Sequence, residues 1–514
     1  MVLSRFNLKN IPAHVIVPND SLFDLPEKVL QFGTGVLLRG LPDYFIDKAN
    51  RQGIFNGRIV VVKSTDGGDA NAFDKQDGLY TICVRGIENG EKVEEDIVSS
   101  AISRVLSAKS DWARVLQCAH NAEMQIVISN TTEVGIQLVH EDIRVHPPTS
   151  FPGKLLAFLY ERFKAFEGSP ESGMVIVPTE LITDNGKKLE SIVFELAHHN
   201  SLEDEFIDWL EKNNHFCNTL VDRIVPGKPK GEALDKILAE LGYTDELLTM
   251  SETYRLWAIE GNDHVLSVLS FAQADAGVVV TPDITLHKEL KLRLLNGTHT
   301  LSCGLAFLAG YSTVKIAMDD KKMSDFVSNL MLKEIAPAIP YDVDAATAQT
   351  FGGTVLDRYA NPHLEHFWLS ITMQYSSKLK MRVLPLIKNY IRKIGSVPDL
   401  MSTGFAAYLL FMKATRTEGG KYYGELNGQE YVITDDAAAI LFEAWKKEDP
   451  KEVVQTVMQN KELWGEDLTE LAGFADSVAN KLAAMIEQGV KFAFEKNTED
   501  RNSQHPVGET AHIL

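Results

Sequence analysis

The run Lys291-Leu-Arg293-Leu-Leu-Asn296-Gly297-Thr298-His299 places an amine, a carboxamide and an imidazole in one short stretch whose apolar spacing predicts a helix. At about 100° per residue, Asn296 lies about 140° and His299 about 80° around an α-helix from Lys291, so all three can point into one half of its surface. Such a trio suits carbonyl and alcohol chemistry without a metal. The lysine can donate or accept a proton, while the amide and the imidazole hold the oxygen whose charge changes. Arg293 falls about 200° from Lys291 and is predicted to face away. Taken alone, the spacing also fits a solvated face with one packed histidine.

A second constellation is Phe32-Gly33-Thr34-Gly35-Val36-Leu37-Leu38-Arg39-Gly40, directly after an apolar run at 29–32. A Gly-x-Gly turn between strand and helix lets the backbone approach a dinucleotide pyrophosphate. The third glycine of the full motif would fall at Leu38, and Lys63-Ser64-Thr65 stands where an acid usually closes the second strand. Ser129-Asn130-Thr131-Thr132-Glu133 ends another predicted strand. Strand carboxyl ends bind dinucleotides in doubly wound sheets, so Asn130 and Thr131 fit a cofactor-facing role, with a helix cap as the alternative.

The elements that must position these groups change character along the chain. Up to Pro282, short apolar runs at 29–32, 58–62, 123–129, 174–177 and 278–280 alternate with helical patterns such as 41–50 and 201–214. That alternation predicts a parallel sheet with crossover helices. From 283 to about 496 the periodicity is mostly helical, at 323–334, 367–379, 405–414, 435–447 and 468–492. The expectation is an α/β Rossmann-like N-terminal domain over 1–282, an all-helical C-terminal domain over 283–496 and a polar tail over 497–514. The Gly- and Tyr-rich segment 419–432 reads as a hairpin or lid.

Composition narrows the class. With 51 basic against 71 acidic side chains the net charge is −20, which argues against nucleic acid as a partner. An anionic small molecule would need a local cationic pocket; Arg39, Arg293 and Arg358 lie near the polar motifs. No apolar run is long enough to cross a membrane. The four scattered cysteines form no Cys-x-x-Cys pair and read as reduced thiols of a cytoplasmic protein. His363 and His366 have a spacing that could suit a metal, but no nearby Cys or Asp-rich partner completes a site, so no metal is assigned. Nothing in the sequence fixes an oligomeric state.

The spacing Lys-x-x-x-x-Asn-x-x-His at Lys291, Asn296 and His299 resembles the signature of the mannitol dehydrogenase family, metal-independent long-chain polyol dehydrogenases and reductases. The loop from Gly33 to Arg39 is similar to that family's version of the dinucleotide turn. Further similar segments are Gln76-Asp-Gly-Leu-Tyr-Thr81, Ser129 to Glu133, Val177-Pro-Thr-Glu180-Leu181, Leu220-Val-Asp222-Arg223-Ile and Arg358-Tyr-Ala-Asn361-Pro362. The resemblance runs from about Pro26 to the last long helix.

The resemblance implies a Rossmann-like domain followed by a helical one, with the active site in the cleft between them. It implies NAD as cofactor, held by Phe32, Gly33, Thr34, Gly35, Val36, Leu37, Arg39, Asn130 and Thr131. Lys291 would be the proton donor, Asn296 and His299 would bind the reacting oxygen, and Glu180, Arg358 and Asn361 would serve the substrate. Mannitol-type members carry an asparagine where this chain has Leu181. That difference, with Cys217-Asn-Thr-Leu-Val-Asp-Arg-Ile224, is similar to the branch that reduces tagaturonate to altronate with NADH, a hexuronate and its aldonate. Lys63 could meet the 2′-phosphate of NADP, but the branch favours NAD. The alternatives are a fructuronate reductase or another polyol dehydrogenase, and, from another class, a catalytically silent sugar-acid or dinucleotide sensor. For Asp222 and Arg223 a buried ion pair fits as well as direct contact.

Overall fold

The computed structural model describes residues 1–63, 70–132 and 134–495. Ser64 and Thr65 after the second strand, Glu133, and the tail expected over 497–514 lie outside the described residues. The chain divides into two compact units, Met1–Thr285 and Leu286–Leu514.

In chain order the strands of the first unit are β1 (Glu27–Phe32), β2 (Arg58–Lys63), β3 (Tyr80–Glu88), β4 (Glu91–Ser99), β5 (Ile102–Ser107), β6 (Ile126–Ser129), β7 (Val175–Pro178), β8 (His215–Phe216), β9 (Thr219–Asp222), β10 (Thr249–Ser251), β11 (Leu256–Glu260) and β12 (Val278–Thr281). Six of them form one sheet in the order β5-β2-β1-β6-β7-β8, every pair parallel. The chain winds from β1 to one edge, then returns to lay β6 on the other side of β1. Strand order reverses there, so the carboxyl ends of β1 and β6 flank the crevice where doubly wound sheets bind ligands.

The central strands read as nearly unbroken apolar runs because both faces are covered. Val29, Ile59, Val61, Ile126 and Ile128 face one core with Phe45 and Trp257. Leu30, Val60, Val62 and Val127 face the other with Leu155 and Phe158. Each such side chain contributes about 1.5–3 kcal/mol relative to exposure, an upper estimate for a real unfolded chain. Two three-stranded sheets, β10-β3-β4 and β12-β11-β9, complete the unit. The β3–β4 hairpin turns on Asn89-Gly90, both with positive φ (55° and 78°), as a two-residue hairpin loop requires.

The second unit packs its helices around one core cluster. Helices Thr298–Leu308 and Asp399–Phe411 cross so closely that a Cβ on Gly404 would lie 2.6 Å from the carbonyl oxygen of Leu301. Only glycine permits that approach. The segment read as a hairpin or lid is a three-stranded antiparallel sheet, Arg416–Glu418, Lys421–Leu426 and Gln429–Ile433, the one sheet this otherwise helical unit shows among the described residues. The pattern at 367–379 is broken into Trp368–Ile371 and Tyr375–Lys378, because Gln374 adopts left-handed φ (53°) between them. Among the described residues no helix is long and apolar enough to cross a membrane.

Candidate active site

In the first unit the loop leaves β1 at Phe32, whose register partners are Val62 of β2 and Ser129 of β6. Gly33 has φ +125°, and an added Cβ would meet Leu38 Cδ1 at 2.9 Å and the Asn130 carbonyl oxygen at 3.0 Å. A side chain there would be strained and would collide with the backbone of the neighbouring strand end. At Gly35 the same Cβ would meet nothing within 4 Å, so this side of the loop is open. Leu38 occupies the third glycine position of the motif. The glycine that lets the helix pack closely is Gly40 instead, where a Cβ would lie 2.8 Å from Val225 Cγ1.

Arg39 is buried, with Nη1 donating to the Thr34 carbonyl at 2.6 Å and Nε to the Thr249 hydroxyl at 3.2 Å. Its guanidinium braces the loop from behind. Among the described residues Asn130 and Thr131 cap no helix: Asn130 Nδ2 donates to the carbonyl and hydroxyl of Thr179, at 3.2 and 3.0 Å. The N–H and hydroxyl of Thr131 donate to Glu180 Oε1 at 2.9 and 3.0 Å, and the Ser129 hydroxyl to Oε2 at 3.1 Å. Glu180 is buried, which raises its pKa against the opposing pull of these hydrogen bonds. It clips the ends of β6 and β7 together.

Two cavities open at these strand ends. One of about 400 Å³ is lined by Phe32, Gly33, Val62, Thr131, Gln137 and Lys154, the last an ammonium lowered by burial. The other, of about 450 Å³, is lined by Leu37, Asn130, Thr132, Val134, Glu180 and Leu181. Of the residues expected to hold a cofactor, Phe32, Gly33, Leu37, Asn130 and Thr131 line one or the other, while Thr34, Gly35 and Val36 lie in the loop and first helical turn. Arg223 is fully buried over the Tyr44 ring and donates to the carbonyls of Gly40 and Glu252, at 2.7 and 2.9 Å.

Under the loop lies a buried acid that sequence reading did not single out. Asp43 Oδ2 accepts from Gln31 Nε2 and from the Tyr80 hydroxyl, both at 3.4 Å, and Gln31 Nε2 also reaches the Gly33 carbonyl at 3.4 Å. Burial pushes the Asp43 carboxyl up to about 7, against the lowering effect of Gln31, Arg39 and Tyr80. The folded protein therefore holds this proton between the unfolded value near 4 and about pH 7, and stability is lost as pH rises through that window. Asp43→Asn should remove this pH dependence. Between pH 5 and pH 8 the wild type should lose roughly 3 kcal/mol that the variant keeps, seen as a melting-temperature difference that grows with pH. Parallel melting curves at both pH values would contradict it.

In the second unit Lys291–Gly297 is π-helical and passes into the α-helix Thr298–Leu308. This corrects the α-helical placement of the polar trio. In a π-helix the hydrogen bonds run i→i+5, so Asn296 falls closer to the Lys291 face than the roughly 140° of an α-helix, and His299 follows three residues on. Arg293 is engaged elsewhere. Glu289 accepts from its Nε at 2.9 Å, and its Nη1 donates to the carbonyls of Met381 and Arg382, both at 2.8 Å. Those carbonyls belong to a second π-helical segment, Leu379–Val383, so one guanidinium fastens the two distorted turns together.

His299 is buried, stacked on Tyr359 with ring centroids 4.2 Å apart and edge-on to His366 and Trp368. Its Nε2 is buried without a partner. Burial first, then His366, Arg358, Arg382 and Lys378, hold its pKa well below the usual range, so the imidazole is neutral. The Tyr359 hydroxyl donates to the Leu295 carbonyl at 2.8 Å and the Thr300 hydroxyl to that of Asn296 at 2.7 Å. Lys291 and Asn296 are half-buried, and Arg358 and Asn361 are buried. Asn361 Oδ1 accepts from the His363 N–H at 3.0 Å. Tyr359 lies inside the segment Arg358 to Pro362 but was given no role there, and Lys378 and Arg382, two cations on helices far along the chain, carry no local signature. Among the described residues no group of three or more His, Cys, Asp or Glu is placed to hold a metal ion.

Comparison with known proteins agrees in both halves. The chain matches the mannitol dehydrogenase Rossmann domain over residues 27–270 and the mannitol dehydrogenase C-terminal domain over 283–486. It is 37% identical over 482 residues to altronate oxidoreductase of Bacillus subtilis (strain 168), covering 93% of this chain and 96% of that one. It is 36% identical to altronate oxidoreductase of Yersinia enterocolitica over 477 residues, 91% and 96% of the two chains. In fold it is similar to a substrate-free D-sorbitol dehydrogenase (TM-score 0.76, 22% identity, 96% of this chain and 100% of that one). It is also similar to the Pseudomonas fluorescens mannitol 2-dehydrogenase ternary complex with NAD and D-mannitol (TM-score 0.65, 21% identity, 97% and 100% covered). With a reversal of strand order beneath a Gly-x-Gly loop in one unit, the Lys-Asn-His run in the other, and both family domains matched along their length, this chain belongs to the mannitol dehydrogenase family.

Proposed function

We propose that this enzyme reduces the keto-uronate tagaturonate to altronate with NADH, reversibly, in hexuronate breakdown in the cytoplasm. The observation that carries the reading is the identity of 35–37% to altronate oxidoreductases over more than nine-tenths of each chain. Four buried, unpaired cysteines suit a reducing compartment.

The first unit fits a dinucleotide. The open side of Gly35, the Gly33 turn and the cavities at the ends of β1, β2 and β6 would take it, held by Phe32, Gly33, Thr34, Gly35, Val36, Leu37, Asn130 and Thr131, with Arg39 bracing the loop. When bound, the reduced nicotinamide supplies hydride to a carbonyl carbon. The protein's own part is the oxygen. Lys291 donates a proton to it as charge develops and regains one from solvent. The Asn296 carboxamide and the neutral His299 imidazole hold the same oxygen by hydrogen bonds aimed where the charge appears. Stacking on Tyr359 fixes the ring, and the π-helical turn favours bringing Asn296 toward the Lys291 face. Arg358 and Asn361 serve the substrate's polar groups, Arg358 by pairing with the carboxylate through two parallel hydrogen bonds. Glu180 is the carboxylate available to a substrate hydroxyl in its cavity.

The direct test supplies altronate with NAD and follows NADH absorbance and the product. Formation of tagaturonate supports the proposal. Binding of sugar acid without turnover would identify a sensor instead. A second expected result is that exhaustive chelation leaves turnover unchanged, since protein groups alone handle the oxygen here. Loss with EDTA that zinc or manganese restores would overturn that mechanism.

A further inference from the structure

The helical unit holds an arginine whose hydrogen-bonding capacity the protein leaves unfilled. Arg382 lies in the π-helical segment Leu379–Val383, with Nε buried and without a partner. Its Nη1 donates to the Thr300 hydroxyl at 3.3 Å, a neutral acceptor and a long contact. Burial lowers its pKa, and the groups that oppose this are Cys303 and Tyr359, not a carboxylate. Several other cations of the unit are paired with carboxylates. Arg293 has Glu289, Arg416 has Glu418 and Glu430, and Lys481 has Asp399.

Its surroundings add positive charge. Lys378 stands four residues earlier on the same helical stretch, where like charges repel, and its Nζ is used on the Ile371 carbonyl at 2.8 Å. Arg358, Lys378 and Arg382 all bear on the one buried imidazole of His299. This concentration of cations occurs in a chain of net charge −20. A guanidinium drawn out of water beside other cations is costly unless an anion meets it.

Position ties Arg382 to the proposed site. Thr300 accepts from Arg382 and donates to the Asn296 carbonyl at 2.7 Å, so Arg382 is tied to the residues that flank the reacting oxygen. Arg293 fixes its backbone through the carbonyls of Met381 and Arg382. In a hexuronate the carboxylate sits at the far end of a six-carbon chain from the ketone.

We propose that Arg382, supported by Lys378, is a second anchor for the substrate carboxylate beside Arg358 and sets the preference for sugar acids over neutral sugars. The inference rests on the keto-uronate reading above.

The test is Arg382→Gln in the full-length enzyme, with kcat and KM measured for tagaturonate, fructose and fructose 6-phosphate, inhibition by altronate against a neutral alditol, and NADH affinity. The expected result is a fall of about 10- to 100-fold in kcat/KM for tagaturonate, mostly through KM, with altronate inhibition weakened to match. Alditol inhibition and NADH affinity should change less than about threefold, and Arg382→Lys should recover part of the loss. Should Arg382→Gln fail to fold, Lys378→Gln reads the same ratio and should show a smaller loss confined to the acids. Equal losses for charged and neutral ligands, or no loss, would overturn the anchor while leaving the function standing. Wild-type preference for fructose 6-phosphate, lost in the variant, would make this a phosphate site and overturn the carboxylate assignment. Absence of any wild-type turnover of tagaturonate would instead fail the underlying function.

Discussion

Replacing Lys291 with alanine is expected to lower turnover of a keto-uronate by roughly 10²–10⁴-fold, the usual contribution of a positioned general acid. The loss should fall on kcat. Asn296 and His299 would still hold the oxygen, but no ammonium would deliver the proton as hydride arrives. The π-helical turn bears on the expectation, because it sets Asn296 closer to the Lys291 face than an α-helix would, as the proposed shared role requires. NADH affinity and the melting temperature should be nearly unchanged, since Lys291 is half-buried and outside the core. Partial recovery with added methylamine would identify the missing group as an amine. Near wild-type turnover would remove Lys291 from the mechanism.

Arg358→Lys should cost about 1.5–3 kcal/mol of transition-state stabilisation for the uronate, the range for hydrogen bonds to charged groups. The change keeps the charge but loses the planar fork that meets a carboxylate through two hydrogen bonds. Long-range attraction cannot compensate in a chain of charge −20, so recognition must come from short contacts that survive salt. Fructose, lacking the carboxylate, should be affected much less. Equal losses on both substrates would mean that Arg358, which is buried, supports the fold or a shared hydroxyl.

The sheet that carries the Gly33–Gly35 loop was legible because its strands are covered on both faces. Runs such as Val29-Leu-Gln-Phe32 and Arg58-Ile-Val-Val-Val62 have no other reading at that spacing. The β3–β4 hairpin was overlooked although Asn89-Gly90 announces its turn, because the flanking residues lack a clean apolar alternation. Gly40 could not be recognised as the packing glycine, since the contact that demands it comes from Val225, far along the chain. The Lys-Asn-His run was legible as a sequence pattern but not as geometry. An α-helical wheel is the natural assumption for Lys291–Gly297, and what departs from it is a tertiary fastening, Arg293 on the carbonyls of Met381 and Arg382. The same limit hid Arg382 and Tyr359, which reach His299 only through the fold.

The central claim, a sugar-acid oxidoreductase using NAD, is tested most directly by kcat/KM for tagaturonate, fructuronate, fructose and fructose 6-phosphate, each with NADH and with NADPH. The account predicts that tagaturonate with NADH gives the highest value and that fructose is poor with either cofactor. A higher value for fructose, or for any substrate with NADPH than for tagaturonate with NADH, would contradict it.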